Sequence, residues 1–449
     1  MDGTRFGELL RDHRNRRGLT QQQLADLATV SVRAVRNLEL GKAQRPRQET
    51  VRLLSEVLRL NDSRRAELES AAFAPAAGAR RGLVEPVAPP APTTPMVGRL
   101  AELDTLMRLL TADGHRSLSI VGLGGIGKTR LALELAGAVY AGCGWSVLWL
   151  PWQGLVNRGE AAGRLADLPV GRLLREAADD PGRALAALGG LIGNRPLLLV
   201  IDGFDPVDGY AGDVVGLLQR CPRLRVVVTA RAPLGTAGEQ VVPMGPLRVP
   251  AASVTDVAAL AGVESVRLLV SHIHRFHPGF RLDAVSVSAV AAICRRLDGV
   301  PCALAHAAEW FLTEGPEDLL ALAARNPLTL ASSPAGTGGL ADARGQFGRS
   351  LALLSPADRR VLERMGGHRG PWTVADAAVA LGQEGGGYAG TARAVHTLLV
   401  HGLVRETADG ARRRFTVLNL VRALIDEQAA RRAVEQPVGG CLRLPVRSG

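Results

Sequence analysis

The sequence predicts a multi-domain protein in which an all-α head precedes an α/β body with a parallel sheet, and further helices follow. Residues 1–73 contain short helical segments whose apolar residues recur at helical spacing. Residues 74–95 contain six prolines, so we expect a linker that forms an extended tether instead of a packed core. From 96 to 250, short runs rich in Val, Leu and Ile alternate with helical segments, which is typical of a parallel α/β sheet.

The rest of the chain returns to helical patterns. Apolar residues three and four apart predict a helical subdomain over 251–330, and a Gly- and Ala-rich stretch over 331–345 predicts a second linker. Residues 346–433 contain helical segments with a short hairpin-like β element, and the tail over 434–449 has no readable pattern.

Composition excludes several classes of protein. The 449 residues contain no run of 18 apolar residues, and the N-terminus is charged, so we expect a cytoplasmic protein with no membrane span. Five scattered cysteines without a CxxC pair argue against a disulfide framework or a zinc site. The net charge is +11, and residues 1–82 carry 16 Lys and Arg against 10 Asp and Glu. A basic head predicts a polyanionic partner.

Two short helices joined by a tight turn are predicted inside the head. Thr20 and Ser31 are suitable N-caps for helices that begin just after them, and this arrangement predicts a helix-turn-helix. The second helix would enter the major groove of DNA, where Arg33 and Arg36 can hydrogen-bond guanine edges. The predicted DNA-contacting residues are Gln21, Gln22, Ser31, Arg33, Arg36 and Lys42. A helical bundle that binds protein remains the alternative.

Residues 118–129 read LSIVGLGGIGKT, a strand followed by Gly-x4-Gly-Lys-Thr and a helical run. Such a loop points backbone N–H groups at phosphate oxygens, and the helix adds the positive end of its dipole. Lys128 would reach the β- and γ-phosphates, and the Thr129 hydroxyl would ligate Mg²⁺. Only Lys42 and Lys128 are lysines among 54 basic residues, which favours a specific role for Lys128. The predicted phosphate-binding residues are Gly122, Gly124, Gly125, Ile126, Gly127, Lys128, Thr129 and Arg130.

Charged residues at two strand ends would complete this site. Asp202 ends the apolar run PLLLVID and would hold Mg²⁺. Asp205 either orients an attacking water or is a surface turn residue. Arg231 follows the run RVVVTA and would contact a γ-phosphate. Asp202, Asp205 and Arg231 are therefore the candidate catalytic residues.

The motifs VGR (97–99), GLGGIGKT, LLLVIDGFD, VVVTAR and LDGVPCAL (297–304), in this order, resemble the NB-ARC type of STAND signal-transducing P-loop NTPases. The resemblance covers 96–425 and is strongest to bacterial transcriptional regulators. It implies that ATP or ADP is held with Mg²⁺ between an α/β domain, a helical subdomain and a winged helix over 346–433. It also implies that Val97 and Arg99 lie near the adenine and that Pro301 packs against the base.

Three departures from the family pattern alter these expectations. The family often has Met-His-Asp where this chain has Val417-Leu418-Asn419, so the histidine that contacts the β-phosphate of ADP is replaced. Gly203 stands where relatives often have a second acid, which implies slow hydrolysis. The sequence shows no sensor repeats of the kind that usually follow, so either a partner protein supplies the signal or the short helical C-terminal part is sufficient.

The head is similar to the Xre (Cro/repressor) class through GLTQQQLA, VSVRAVRNLELGK and RPRQETVRLL, although Thr29 replaces a usual turn glycine. Together the resemblances imply a transcriptional regulator that binds operator DNA and self-associates when ATP replaces ADP. Two alternatives stay open. One is an NTPase that turns over constitutively, and the other is a signalling or defence scaffold whose N-terminal bundle binds protein.

Overall fold

A computed structural model describes residues 5–40, 48–58, 88–152, 194–204, 211–254, 256–334, 343–382, 386–407 and 412–435, with single residues 60, 64, 68, 72 and 192. The chain divides into a head within Met1–Glu85 and a body that starts at Pro86, and each is described separately. The finer boundaries drawn from the sequence remain predictions.

The described part of the head contains helices α1 (Arg5–Arg16), α2 (Gln21–Leu27), α3 (Val32–Glu39) and α4 (Gln48–Val57). Thr20 caps α2 in a reciprocal box, because its hydroxyl accepts from Gln23 N at 3.1 Å while the Gln23 side chain accepts from Thr20 N at 2.9 Å. Ser31 caps α3 by accepting from Ala34 N at 3.1 Å. Thr29 adopts φ 52° in the turn between α2 and α3, a left-handed conformation that glycine adopts more easily.

One ion pair is enclosed by the head. The Arg14 guanidinium donates to both carboxylate oxygens of Glu39, from Nε at 2.5 Å and from Nη2 at 3.1 Å. Arg14 Nη1 also donates to Leu19 O at 2.8 Å. The pair therefore links α1, α3 and the turn before α2.

Replacing Glu39 by alanine is expected to lower the stability of the head by about 3–5 kcal/mol, because Arg14 would remain buried without its carboxylate. All five tryptophans lie in the body. Urea unfolding of the full chain would therefore show a shifted transition by circular dichroism and an unshifted one by tryptophan fluorescence. Glu49→Ala removes an exposed pair with Arg52 and should leave both transitions in place.

The first part of the body contains, in chain order, α5 (Leu100–Thr111), β1 (Ser117–Val121), α6 (Lys128–Cys143), β2 (Ser146–Pro151), β3 (Leu197–Phe204), α7 (Ala211–Arg220), β4 (Leu224–Ala230) and β5 (Glu239–Pro243). The strands form a parallel sheet in the order β2-β3-β4-β1-β5. Because β1, β3 and β4 are adjacent and parallel, the loops that leave their carboxyl ends meet at one edge of the sheet.

Helices dominate the second part of the body: α8 (Val257–Ala261), α9 (Glu264–Phe276), α10 (Val287–Arg296), α11 (Pro301–Trp310), α12 (Pro316–Arg325), α13 (Pro327–Leu330), α14 (Ala343–Ala352), α15 (Pro356–Gly366), α16 (Val374–Leu381), α17 (Gly387–Val400) and α18 (Asn419–Glu435). An antiparallel hairpin, β6 (Val404–Thr407) and β7 (Arg414–Val417), precedes α18. A continuous apolar core joins these helices, apart from α8, to the sheet, and α8 packs in a small separate cluster with α10. The predicted fold class is confirmed, and among the described helices none is long and apolar enough to cross a membrane.

Candidate functional site

The glycine-rich loop connects β1 to α6 at the edge of the sheet. Gly127 has φ 101° and immediately precedes Lys128, the first residue of α6. Gly125 has φ 73°, and a Cβ there would lie 2.1 Å from Cys302 Sγ. Both positions require glycine, since side chains rarely adopt such angles and Gly125 has no room for one. The loop therefore has the backbone freedom that phosphate binding needs.

Lys128 folds back over the loop. Its Nζ donates to Gly122 O and Leu123 O, each at 2.8 Å. Desolvation, reinforced by the positive charge of Arg231, lowers the Lys128 pKa to about 7, although Asp202 opposes the shift. An anion entering beside this ammonium would favour its protonated form.

Thr129 and Asp202, the two residues predicted to hold Mg²⁺, lie in direct contact. Thr129 Oγ1 donates to Asp202 Oδ1 at 2.7 Å. Thr229, at the end of β4, also donates its hydroxyl to this oxygen at 2.6 Å and accepts from Gly203 N at 2.8 Å. A register shift of β3 between Asp202 and Phe204 accompanies this contact. A hydroxyl beside a carboxylate fits the preference of Mg²⁺ for hard oxygen ligands.

A cavity of about 200 Å³ opens beside these groups, and its walls include Gly124, Lys128, Thr129, Asp202, Arg231 and Gln346. The structure thus brings together loop residues, the end of β3, the end of β4 and one residue of α14. Asp205 lies outside the described residues. Gln346 and Thr229 were not predicted from the sequence.

The residues expected near the base are arranged differently. The Pro301 ring lies near Gly127, where a Cβ would be 4.0 Å from Pro301 Cγ. Cys302 N donates to Gly125 O at 3.1 Å, so the start of α11 rests on the loop. Val97 lines a separate cavity of about 460 Å³ that α9 also borders.

Two arginines expected to face the nucleotide bind protein groups instead. The Arg99 guanidinium is buried and donates to Glu102 Oε1 at 2.8 Å and to Gly245 O at 2.6 Å. Arg130 donates to Glu134 Oε1 at 2.6 Å. Ile126 is buried in the core.

In the head, Arg33 and Arg36 are both exposed on α3, one turn apart. Gln21 Nε2 donates to Glu39 Oε2 at 2.7 Å, which holds its amide against the protein. Gln22 is exposed and donates to Asp26 Oδ1 at 3.0 Å. The Ser31 hydroxyl serves as the cap of α3, and Lys42 lies outside the described residues.

A further buried carboxylate joins the helical part to the end of the chain. Asp298, at φ 55° and 1 % exposed, accepts from Leu420 N and from Asn419 Nδ2, each at 3.0 Å. Burial raises the Asp298 pKa to about 7, although these hydrogen bonds and the charges of Arg405 and Arg422 oppose the shift. Asn419 stands where the family pattern has the aspartate of Met-His-Asp. Its hydrogen bond to Asp298 links the start of α18 to the turn before α11.

This carboxylate predicts a pH dependence. The pKa of about 7 in the folded protein exceeds the ordinary value of 3.8, so the folded chain binds more protons than the unfolded chain between those values. We expect the body to lose stability as pH rises from about 4 to 7, by up to about 1.4 kcal/mol per pH unit from this group. Urea unfolding at several pH values, followed by tryptophan fluorescence, measures the free energy of unfolding of the body. This free energy should fall less steeply with pH in Asp298→Asn than in the wild type, and an equal fall in both proteins would show that Asp298 does not cause the pH dependence.

Comparison with known proteins identifies relatives of both parts. A helix-turn-helix domain family matches residues 5–68. Rv0890c of Mycobacterium tuberculosis, named as a candidate HTH-type transcriptional regulator, is 37% identical over 207 residues, which are 45% of this chain and 21% of that protein. The chain thus spans about a fifth of that relative. The uncharacterized protein Rv0894 of the same organism is 30% identical over 298 residues, which are 64% of this chain and 69% of Rv0894.

A similarity to a solved structure extends over much of the chain. A STAND protein with a tetratricopeptide repeat sensor, PH0952 from Pyrococcus horikoshii, is 16% identical and aligns with 77% of this chain and 44% of its own, with a TM-score of 0.29.

Proposed function

Since the chain belongs to the same family as the mycobacterial protein Rv0894 and has a helix-turn-helix domain over residues 5–68, we propose that it is a DNA-binding transcriptional regulator controlled by ATP and ADP. In this proposal the head is of the Xre type, and the body is an NB-ARC module that holds the nucleotide. DNA and ATP meet in the cytoplasm, which is where such a regulator would act.

The observation that carries the nucleotide half is the position of Lys128. Its Nζ satisfies two carbonyls of the glycine-rich loop and lies beside the contact between Thr129 and Asp202. When a nucleotide binds, phosphate oxygens would replace the two loop carbonyls as acceptors for the Lys128 ammonium, and loop N–H groups would hold the β-phosphate. When bound, Mg²⁺ would be held by Thr129 and Asp202 and would neutralise phosphate charge.

The DNA half rests on the exposed face of α3. Arg33 and Arg36 are free to point into a major groove, while Ser31 keeps the start of the helix capped. Gln21 is held by Glu39, so we assign it to positioning the helix pair instead of to base contact. Gln22 remains a candidate phosphate contact.

The proposed switch between two conformations of the body depends on close contacts that later segments of the body make with the glycine-rich loop. A Cβ on Gly402, in the turn between α17 and β6, would lie 3.0 Å from Leu123 N. Cys302 holds Gly125 from the other side. Exchange of ADP for ATP would require these contacts to separate, and the surfaces so exposed would allow self-association. A partner protein would supply the signal that starts the exchange.

The oligomeric state of the full chain tests the switch. Light scattering during size-exclusion chromatography is expected to give a monomer with ADP and Mg²⁺, and a larger assembly with the slowly hydrolysed analogue ATPγS. Equal masses with both nucleotides, when both are shown to bind, would contradict switching by self-association.

Two rival functions make different predictions. A constitutive NTPase would release phosphate at roughly 10 per second like a typical enzyme, whereas the switch predicts about one per minute or less. A scaffold that binds protein through its head would fail to bind duplex DNA even at low salt, where phosphate contacts are strongest.

A further inference from the structure

The side chain of Gln346 lies against the middle of the phosphate loop. A Cβ on Gly124 would be 2.9 Å from Gln346 Cβ and 3.2 Å from its Oε1, and a Cβ on Gly125 would be 3.1 Å from the same Oε1. Gln346 belongs to α14, more than 200 residues further along the chain. A residue of the C-terminal helical part therefore forms one wall of the cavity that holds Lys128 and Asp202.

The cavity is small for a nucleotide that carries a third phosphate. Its volume is about 200 Å³, whereas ligand sites generally measure about 300–1,000 Å³. The β-phosphate would occupy the loop itself, and a γ-phosphate would extend past Lys128 toward the strand ends. A triphosphate would thus need room that Gln346 borders, and α14 would have to give way.

Gln346 and Arg231 offer different chemistry to the terminal phosphate. The Gln346 amide is neutral, and rotation of its end group would exchange Oε1 for Nε2 beside the loop, where Nε2 can donate one or two hydrogen bonds to a phosphate oxygen. Arg231, on another wall, carries a full positive charge and gains from each added negative charge. The two walls therefore favour different numbers of phosphates.

On the basis of the proposed nucleotide site, we propose that Gln346 distinguishes nucleoside diphosphates from triphosphates. Its amide donates to the terminal oxygens of a bound diphosphate, and a γ-phosphate displaces it from the loop. The diphosphate then holds α14 against the loop, and the triphosphate releases it.

A connection from α14 to the last helix would carry this movement. Arg344 donates to both carboxylate oxygens of Glu427 on α18, from Nε and from Nη2, each at 3.2 Å. Asn326 Nδ2 also donates to Glu427 at 2.9 Å. Because Arg344 holds Glu427, a shift of α14 would also move α18. The difference between a bound diphosphate and a bound triphosphate would therefore change the structure beyond the nucleotide site.

The test compares the affinities of the full chain for ADP and for ATPγS, both with Mg²⁺, by isothermal titration calorimetry. Gln346→Ala is expected to weaken ADP about tenfold, the value of a hydrogen bond to a charged group, and to strengthen ATPγS by relieving the displacement. The ratio of the two dissociation constants should shift at least about tenfold. Gln346→Glu keeps the shape and should weaken ADP further, because its carboxylate repels phosphate.

Gln428→Ala provides the matched control, since Gln428 accepts from Arg359 on a different face of α18 and should leave the ratio unchanged. A ratio in Gln346→Ala equal to that of the wild type would overturn the role of Gln346 while leaving nucleotide binding intact. Failure of the wild type to bind either nucleotide would instead refute the proposed nucleotide site. Circular dichroism of each variant identifies any that is unfolded. If Gln346→Ala is unfolded, the ratio of the two dissociation constants in Gln346→Glu decides whether Gln346 has the proposed role.

Discussion

Replacing Lys128 by alanine is expected to weaken both ADP and ATP binding by about a hundredfold or more. Lys128 Nζ donates to two loop carbonyls, and a charge-assisted contact to phosphate in a desolvated site contributes about 3 kcal/mol. Calorimetric titration of the full chain with each nucleotide and Mg²⁺ measures the loss. If the alanine variant binds ADP as tightly as the wild type does, Lys128 does not contact the nucleotide.

Proton uptake provides an independent control for the same residue. Because the Lys128 pKa is about 7, the amine is mostly neutral at pH 8.5 and should gain about one proton when phosphate binds. Titrations in two buffers of different ionisation enthalpy measure this number. Lys128→Arg keeps the charge at all these pH values and should show no uptake.

The double variant Arg33→Ala/Arg36→Ala is expected to weaken binding to duplex DNA by about thirtyfold to twenty-thousandfold, since each base-edge contact contributes about 1–3 kcal/mol. Both side chains are exposed on α3, and neither is needed for the core of the head. Fluorescence anisotropy with a duplex from the region upstream of its own gene measures the loss at two salt concentrations.

A surface arginine on another helix serves as the control. Arg52 on α4 pairs with Glu49 at 3.1 Å and Glu56 at 3.6 Å, and its replacement by alanine should change DNA affinity by less than about threefold. If Arg52→Ala weakens binding as much as the double variant does, the contact is diffuse electrostatic attraction and α3 is not the recognition helix.

Local signals in the sequence were sufficient for the glycine-rich loop between β1 and α6 and for the end of β3. The turn, the helix start and Lys128 lie within a dozen residues, and Asp202 follows a continuous apolar run of strand length that forms β3. Parallel strands then bring these two segments to one edge, which is a general property of such sheets. The fifth strand, β5, was not predicted, because EQVVP is short and half-exposed and has a weak apolar pattern.

Contacts between distant segments could not be predicted from one sequence. Gln21 looked free to reach DNA, but Glu39, 18 residues later, holds its amide. Asp298 was part of a recognised motif, yet its partner Leu420 lies 122 residues away. Gln346 and Thr229 carry no sequence signal of their own, since a polar residue at a helix face or a strand end has many ordinary roles. Arg99 was assigned to the base, and a carbonyl 146 residues away at Gly245 holds its guanidinium.

In the proposed regulator, the nucleotide held by the body controls DNA binding by the head. The most direct measurement is the affinity of the full chain for duplex DNA with no nucleotide, with ADP and with ATPγS, each with Mg²⁺. We expect at least a tenfold difference in DNA affinity between the ADP and ATPγS states, and a single affinity in all three conditions for Lys128→Ala. The same affinity in every condition for the wild type, while calorimetry registers binding of both nucleotides, would contradict the proposal.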